Sequence, residues 1–204
     1  MLFRSIIGGV PLGFANNVRR GSIGLVAASG TGLQEVTTQI HRMGGGVSHA
    51  IGTGGRDVYA EVGGTTMLQG IALLAQDATT KVIAIVSKPP APEVTEKVMA
   101  ALQAAGKPAV VLFLGSQMKS PIKSIKVVQT MVDCAAVAIK LAGRKVAPMA
   151  IGEMSRRDKG VVSELYPIPP KPKFHKNQHY LRALYSGGTY CSEAQILWTR
   201  ANLT

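Results

Sequence analysis

Three short stretches carry residue types able to grip a small negative group. Ser29-Gly30-Thr31-Gly32 lies between an apolar run and a helical pattern. A strand-to-helix turn of this kind exposes free backbone N–H groups at the positive end of the helix dipole, a ready anion site. Ser29 and Thr31 add hydroxyls, while Gly30 and Gly32 let the backbone come close to a ligand. The same residues would serve equally as a plain helix cap, because Ser and Thr are preferred caps. No Gly-Lys-Ser/Thr follows, so the turn is not a Walker loop. Gly52-Thr53-Gly54-Gly55-Arg56-Asp57 combines glycines with a cation and an anion. It is expected to add Gly52, Gly54, Gly55, Arg56 and Asp57 as a second wall, with Arg56 as a charge-assisted donor; a charged surface turn is the competing reading. Ser87-Lys88, just before Pro89-Pro90, completes the candidate set. Lys88 either faces the same crevice or is a solvated lysine.

Other chemistry is thinly represented. His41 falls late in a helical pattern and His49 inside a strand, where structural roles are expected. His175 and His179 are four residues apart, but in a Pro-rich stretch that does not suit a metal-binding helix. No metal set is expected and no nucleophile arrangement is recognisable, so no catalytic residue is assigned. Two cysteines, Cys134 and Cys191, make no disulfide framework. They suit a reducing compartment, and a cytoplasmic protein is the expectation. No apolar run reaches the ~18 residues of a membrane span, and Gly8, Gly9 and Pro11 interrupt the apolar N-terminal residues.

The elements that must position these turns alternate in type. Ile23–Ala28, Val47–Ile51, Val82–Val86, Ala109–Leu114 and Ile125–Val128 read as strands. Helical spacing of apolar residues appears over Leu33–Met43, Thr65–Gln76, Glu93–Ala105 and Met131–Ala142, with Pro92 placed as a first helical residue. The expected fold is α/β: a three-layer, flavodoxin-like sandwich on a parallel five-stranded sheet, with strand order 2-1-3-4-5. Ligands on such sheets bind beyond the carboxyl ends of the strands, which puts all three turns on one rim.

Net charge is +12, and residues 144–182 hold nine Lys/Arg against three Asp/Glu. Half the excess therefore sits in one Pro-rich stretch, without a zinc finger, basic zipper or RNA-stacking motif, and nucleic acid is not favoured as a partner. The expected organisation is a lead-in over 1–20, a complete domain over 21–143, and a basic linker over 144–180. Residues 181–204 are expected to begin a second, similar domain. LRALYSGGTYCSEAQILW resembles the first unit, GLVAASGTGLQEVTTQI: Gly188-Thr189 aligns with Gly30-Thr31, and Glu193 with Glu35.

Several separated motifs agree in order with one family. IGLVAASGTGLQE, HAIGTGGRDVYAEVGG, VIAIVSKPPAPEV, KPAVVLFLGS and LRALYSGGTYCSEA resemble FdrA-type, acyl-CoA-synthetase-like proteins over about Ile6 to Trp198. More distantly, Ser29-Gly30-Thr31 and Gly52–Asp57 resemble loops of the ligase domain of the succinyl-CoA synthetase α-subunit. That resemblance implies an ancestral phosphate site at Ser29–Gly32, with CoA and nucleotide as cofactors of the family. It also implies that an N-terminal CoA-binding domain and most of a C-terminal part lie outside this chain. The phosphohistidine of the synthetase is expected after Gly115, yet Ser116–Lys126 holds no histidine. A ligase-like module without the phosphohistidine relay is the expectation. The alternatives are a subunit of an oxamate carbamoyltransferase in allantoin breakdown, or a non-catalytic assembly module. Each needs a small anionic substrate or a homo- or hetero-oligomeric protein partner, and no membrane.

Overall fold

The computed structural model describes residues 4–13, 15–147, 176–177, 180, 182–200 and 202. Met1–Ala147 and Tyr185–Thr204 together form one compact unit, and Pro148–Leu184 is a separate one. Most of the expected linker, with His175 and His179, lies outside the described residues. Within the smaller unit, the Arg182 guanidinium sits 5.9 Å from the Tyr180 ring centre.

The larger unit contains β1 (Ser5–Ile7), β2 (Val10–Leu12), β3 (Arg20–Ala27), α1 (Gly30–Arg42), β4 (Val47–Gly52) and α2 (Thr65–Gln76). These are followed by β5 (Val82–Ser87), α3 (Pro92–Ala104), β6 (Ala109–Phe113), β7 (Ile125–Val128), α4 (Met131–Leu141) and α5 (Gly188–Arg200). The seven strands form one sheet in the order β2-β1-β4-β3-β5-β6-β7. The five from β3 to β7 are parallel and carry the expected 2-1-3-4-5 order. All six residues of β5 and all five of β6 are buried, as required when helices cover both faces of a sheet. α1 packs with α4 and α2 with α3. Met67, Ile71 and Leu74 of α2 and Val94, Val98 and Leu102 of α3 share one core with Val26, Ile83 and Ile85.

The stretch assigned as a lead-in carries two strands. β1 pairs antiparallel with β2 and with β4. Gly8 and Gly9 join β1 to β2 with φ of 58° and 88°, the left-handed pair that a two-residue hairpin turn demands. Ile6 is buried against Ala50, and the Ser5 hydroxyl accepts the Gly52 N–H at 3.1 Å. Pro11, which lacks an N–H, lies on the outermost strand, where proline is tolerated.

The C-terminal repeat differs from its expected form, and one crossover is irregular. No strand precedes α5 among the described residues 182–187, and α5 packs on α1 within the same unit. Parallel strands are normally joined by a crossover helix, yet residues 114–124 between β6 and β7 form none. Met118 and Ile122 of that segment lie against the core instead.

Candidate functional site

The first turn is a helix cap before it is anything else. Ser29 has extended backbone, and its Oγ accepts the Gly32 N–H at 2.9 Å. The Leu33 N–H bonds to the Ser29 carbonyl. The Gly30 and Thr31 N–H groups have no such intrahelical partner, as at any helix start. Gly32 is held by space: an added Cβ would stand 2.8 Å from Val86 Cγ1 and 2.9 Å from Ser29 Oγ.

A second helix start meets the first. Ser29 Oγ and Thr189 Oγ1 are 2.6 Å apart and share a hydrogen bond. A Cβ on Gly187 would lie 3.2 Å from Thr31 Oγ1, and one on Gly188 3.5 Å from Lys88 Nζ. The N-termini of α1 and α5 thus flank a cleft of about 510 Å³. It is lined by Ser29, Gly30, Thr31, Ser87, Lys88, Gly188 and Thr189 on its polar side, and by Ala28, Gly55, Val58, Tyr59 and Pro89 elsewhere. Ser87 is fully buried, and its Oγ has no hydrogen-bond partner. Among the described residues, no histidine or carboxylate lines this cleft.

α5 is fastened at two further points. The Tyr190 hydroxyl donates to Glu35 Oε2 at 2.8 Å, and the Met131 N–H at the start of α4 donates to Glu193 Oε1 at 2.6 Å. Burial pushes the Tyr190 phenol up to about 12, helped by the Glu35 carboxylate. Burial also raises Glu193, with Glu35 and Asp133 adding like charge against the hydrogen bond from Met131.

The Gly-rich loop divides. Gly52, Gly54 and Gly55 line a neighbouring cleft of about 500 Å³ with Arg4, Ala27, Ala28, Gly30 and Thr53. Gly55, Ala28 and Gly30 line both clefts. Arg56 is exposed and lines neither, because the loop turns its position outward. Asp57 is buried, and its two carboxylate oxygens accept the Thr66 and Met67 N–H groups at 2.8 Å each. It is the anion that fills the N-terminus of α2. These placements correct the expectation that Arg56 and Asp57 face the crevice. Of the proposed residues, Ser29, Gly30, Thr31, Gly55, Ser87 and Lys88 line the first cleft.

Sequence reading missed Val58 and Tyr59, which follow the loop without any motif. Thr189 was visible as the repeat of Thr31, but not as the hydrogen-bond partner of Ser29. His49 does have an acid partner distant in sequence: Nε2 lies 3.4 Å from Asp77 Oδ2, while Nδ1 accepts the Gly8 N–H at 3.1 Å. Hydrogen bonds from Thr80 and Thr79, with His49 nearby, bring the Asp77 carboxyl down to about 2 despite some opposing desolvation. Burial pushes the Cys134 thiol up to about 12. No group of three or more His, Cys, Asp or Glu among the described residues is placed to hold a metal. None of their helices is long and apolar enough to cross a membrane.

Residues 18–115 match the family described as CoA binding domain. The uncharacterized protein YahF of Escherichia coli K12 is 39% identical over 194 residues, covering 94% of this chain. The chain spans 36% of that relative's length. Among solved structures, a dinucleotide-forming acetyl-coenzyme A synthetase 1 of Candidatus Korarchaeum cryptofilum aligns with a TM-score of 0.43 and 16% identity, covering 74% of this chain and 29% of that one. An ATP citrate lyase of Methanothrix soehngenii aligns with a TM-score of 0.41 and 20% identity, covering 90% and 29%.

Proposed function

We propose that this chain is a CoA-ligase-like module of the FdrA type that holds a small phosphate or carboxylate group between the N-termini of α1 and α5. The observation that carries the reading is Ser87. A fully buried hydroxyl without a partner forgoes a hydrogen bond worth about 0.5–1.5 kcal/mol. An anion oxygen in the cleft that Ser87 lines would accept its proton.

The Gly30 and Thr31 amides, with the starting amides of α5, supply donors at the positive ends of two dipoles. Lys88 adds a full charge beside Gly188. The hydroxyls of Ser29 and Thr189 are taken up with each other, so they set the spacing of the two helices. Val58, Tyr59 and Pro89 form an apolar side for the body of an acyl or carbamoyl group. The adjoining cleft, which shares Ala28, Gly30 and Gly55, gives room for a longer group such as that of a CoA thioester. The chain acts as part of a longer cytoplasmic protein with an oligomeric partner, and without a phosphohistidine relay.

Isothermal titration of the intact chain with inorganic phosphate, acetyl phosphate, carbamoyl phosphate and CoA tests this. Phosphate binding is expected, and Ser87→Ala and Lys88→Ala should each weaken it about tenfold, the loss of one hydrogen bond to a charged group. Stronger binding of carbamoyl phosphate than acetyl phosphate would favour the transferase reading. Undiminished phosphate affinity in a folded Ser87→Ala protein, or no binding of any of the four, overturns the proposal.

A further inference from the structure

A separate groove of about 340 Å³ lies where the β6–β7 crossover lacks a helix. Its floor is Met118, Ile122 and Val127, half-buried against the core, and its rim is Lys119, Lys123 and Lys126, all exposed. None of these lysines forms an ion pair among the described residues. From Lys97 to Val132 the chain has five lysines and no Asp or Glu. The groove borders β7, the last strand of the sheet, whose outer edge has no strand partner among the described residues. Gln129 also lines it: Nε2 donates to the Ser116 carbonyl at 2.8 Å, while Oε1 is enclosed with no hydrogen-bond partner.

We propose that this groove docks an extended, acidic segment of a partner protein, with alternate apolar side chains. Each feature asks for a different part of such a segment. Uncompensated lysines ask for carboxylates. Half-buried Met118, Ile122 and Val127 ask for apolar side chains, which an extended chain presents at every second residue. The bare strand edge asks for the backbone N–H and C=O groups of an added strand. The same lysines make a second copy of this edge a poor partner, because like charges would face each other.

The test is fluorescence anisotropy of a labelled ten-residue peptide alternating Glu and Val, added to the intact chain. Binding is expected, weakening as salt is raised. The triple variant K119E/K123E/K126E should weaken it about tenfold or more, as expected for several ion pairs lost together. R42E/K81E/K140E, an equal change of net charge at exposed positions elsewhere, should leave it within about twofold, since distant charges are screened. Replacing Val by Ser in the peptide should also weaken binding. Equal loss in both triple variants would reduce the effect to net charge and overturn the proposal. So would a peptide indifferent to Val→Ser and fully displaced by tripolyphosphate, the mark of a bare anion patch.

Discussion

Replacing Asp57 separates a structural carboxylate from a ligand-binding one. α2 begins at Gly64, a left-handed residue without a side chain to cap the helix, and its first turn has no acidic residue. Asp57, reaching from the Gly-rich loop, supplies both missing elements through paired 2.8 Å bonds to Thr66 and Met67. Losing an ordinary cap costs about 0.5–2 kcal/mol, and leaving a buried donor unsatisfied costs about 1–3 kcal/mol. Met67 is fully buried, so its amide has no easy access to replacement water. Asp57→Ala should therefore destabilise the protein by about 2–3 kcal/mol, or roughly 4–12 °C in Tm for a chain of this size. Asp57→Asn keeps one acceptor oxygen and should lose about half as much. Arg56→Ala, one residue earlier but exposed, should stay within about 0.5 kcal/mol. Thermal and urea unfolding followed by far-ultraviolet circular dichroism, paired with phosphate titration, reads both properties. An Asp57→Ala protein that melts like the parent but no longer binds phosphate would refute the assignment of Asp57 as a cap.

Other perturbations have equally definite outcomes. Gly32→Ala places a methyl against Val86 and the Ser29 hydroxyl; overpacking of about 1–3 kcal/mol and weaker phosphate binding are expected, and an unchanged Tm would contradict the geometry. Glu193 has its folded value raised above the ordinary 4.5, so the native state gains stability as pH falls through that raised value and loses it above. Glu193→Gln should match or exceed the parent Tm at pH 7, with the difference closing on acidification, whereas Glu193→Ala should lower it by orphaning the Met131 amide; a Gln variant as damaged as the Ala variant counts against this. Asp77 has the opposite sign: lowered to about 2, it favours the native state above its unfolded value near 3.8, and that benefit disappears as pH falls through about 2. Asp77→Asn should flatten this part of an acid-unfolding profile, and an unaltered profile would deny the Thr80 and Thr79 bonds their role. With Cys134 fully buried and Cys191 half-buried, a thiol reagent should label Cys191 in native protein and both in urea, as counted by mass spectrometry.

Helix and strand identities followed from local pattern. Leu33, Val36 and Ile40 lie on one face of α1 because a helix repeats every 3.6 residues, and all three are fully buried. The wholly apolar Val82–Val86 run could only sit between two helical layers, and the order of the five parallel strands followed from right-handed crossovers. Ser29 as a cap, and the likeness of Gly188-Thr189 to Gly30-Thr31, were equally open to reading. Pairing between distant residues was not. β1 and β2 are three residues each, too short for any period to show, and only the open side of β4 makes them strands. Arg56 and Asp57 are neighbours with opposite fates, because loop backbone direction sends one outward and the other onto α2. Thr189 reaches Ser29 across 160 positions, and only packing shows that the hydroxyl of Ser87, already a candidate by its position, is left without a partner. Periodicity acts over a few residues and is written along the chain, whereas a cleft is made by groups brought together through the burial of others.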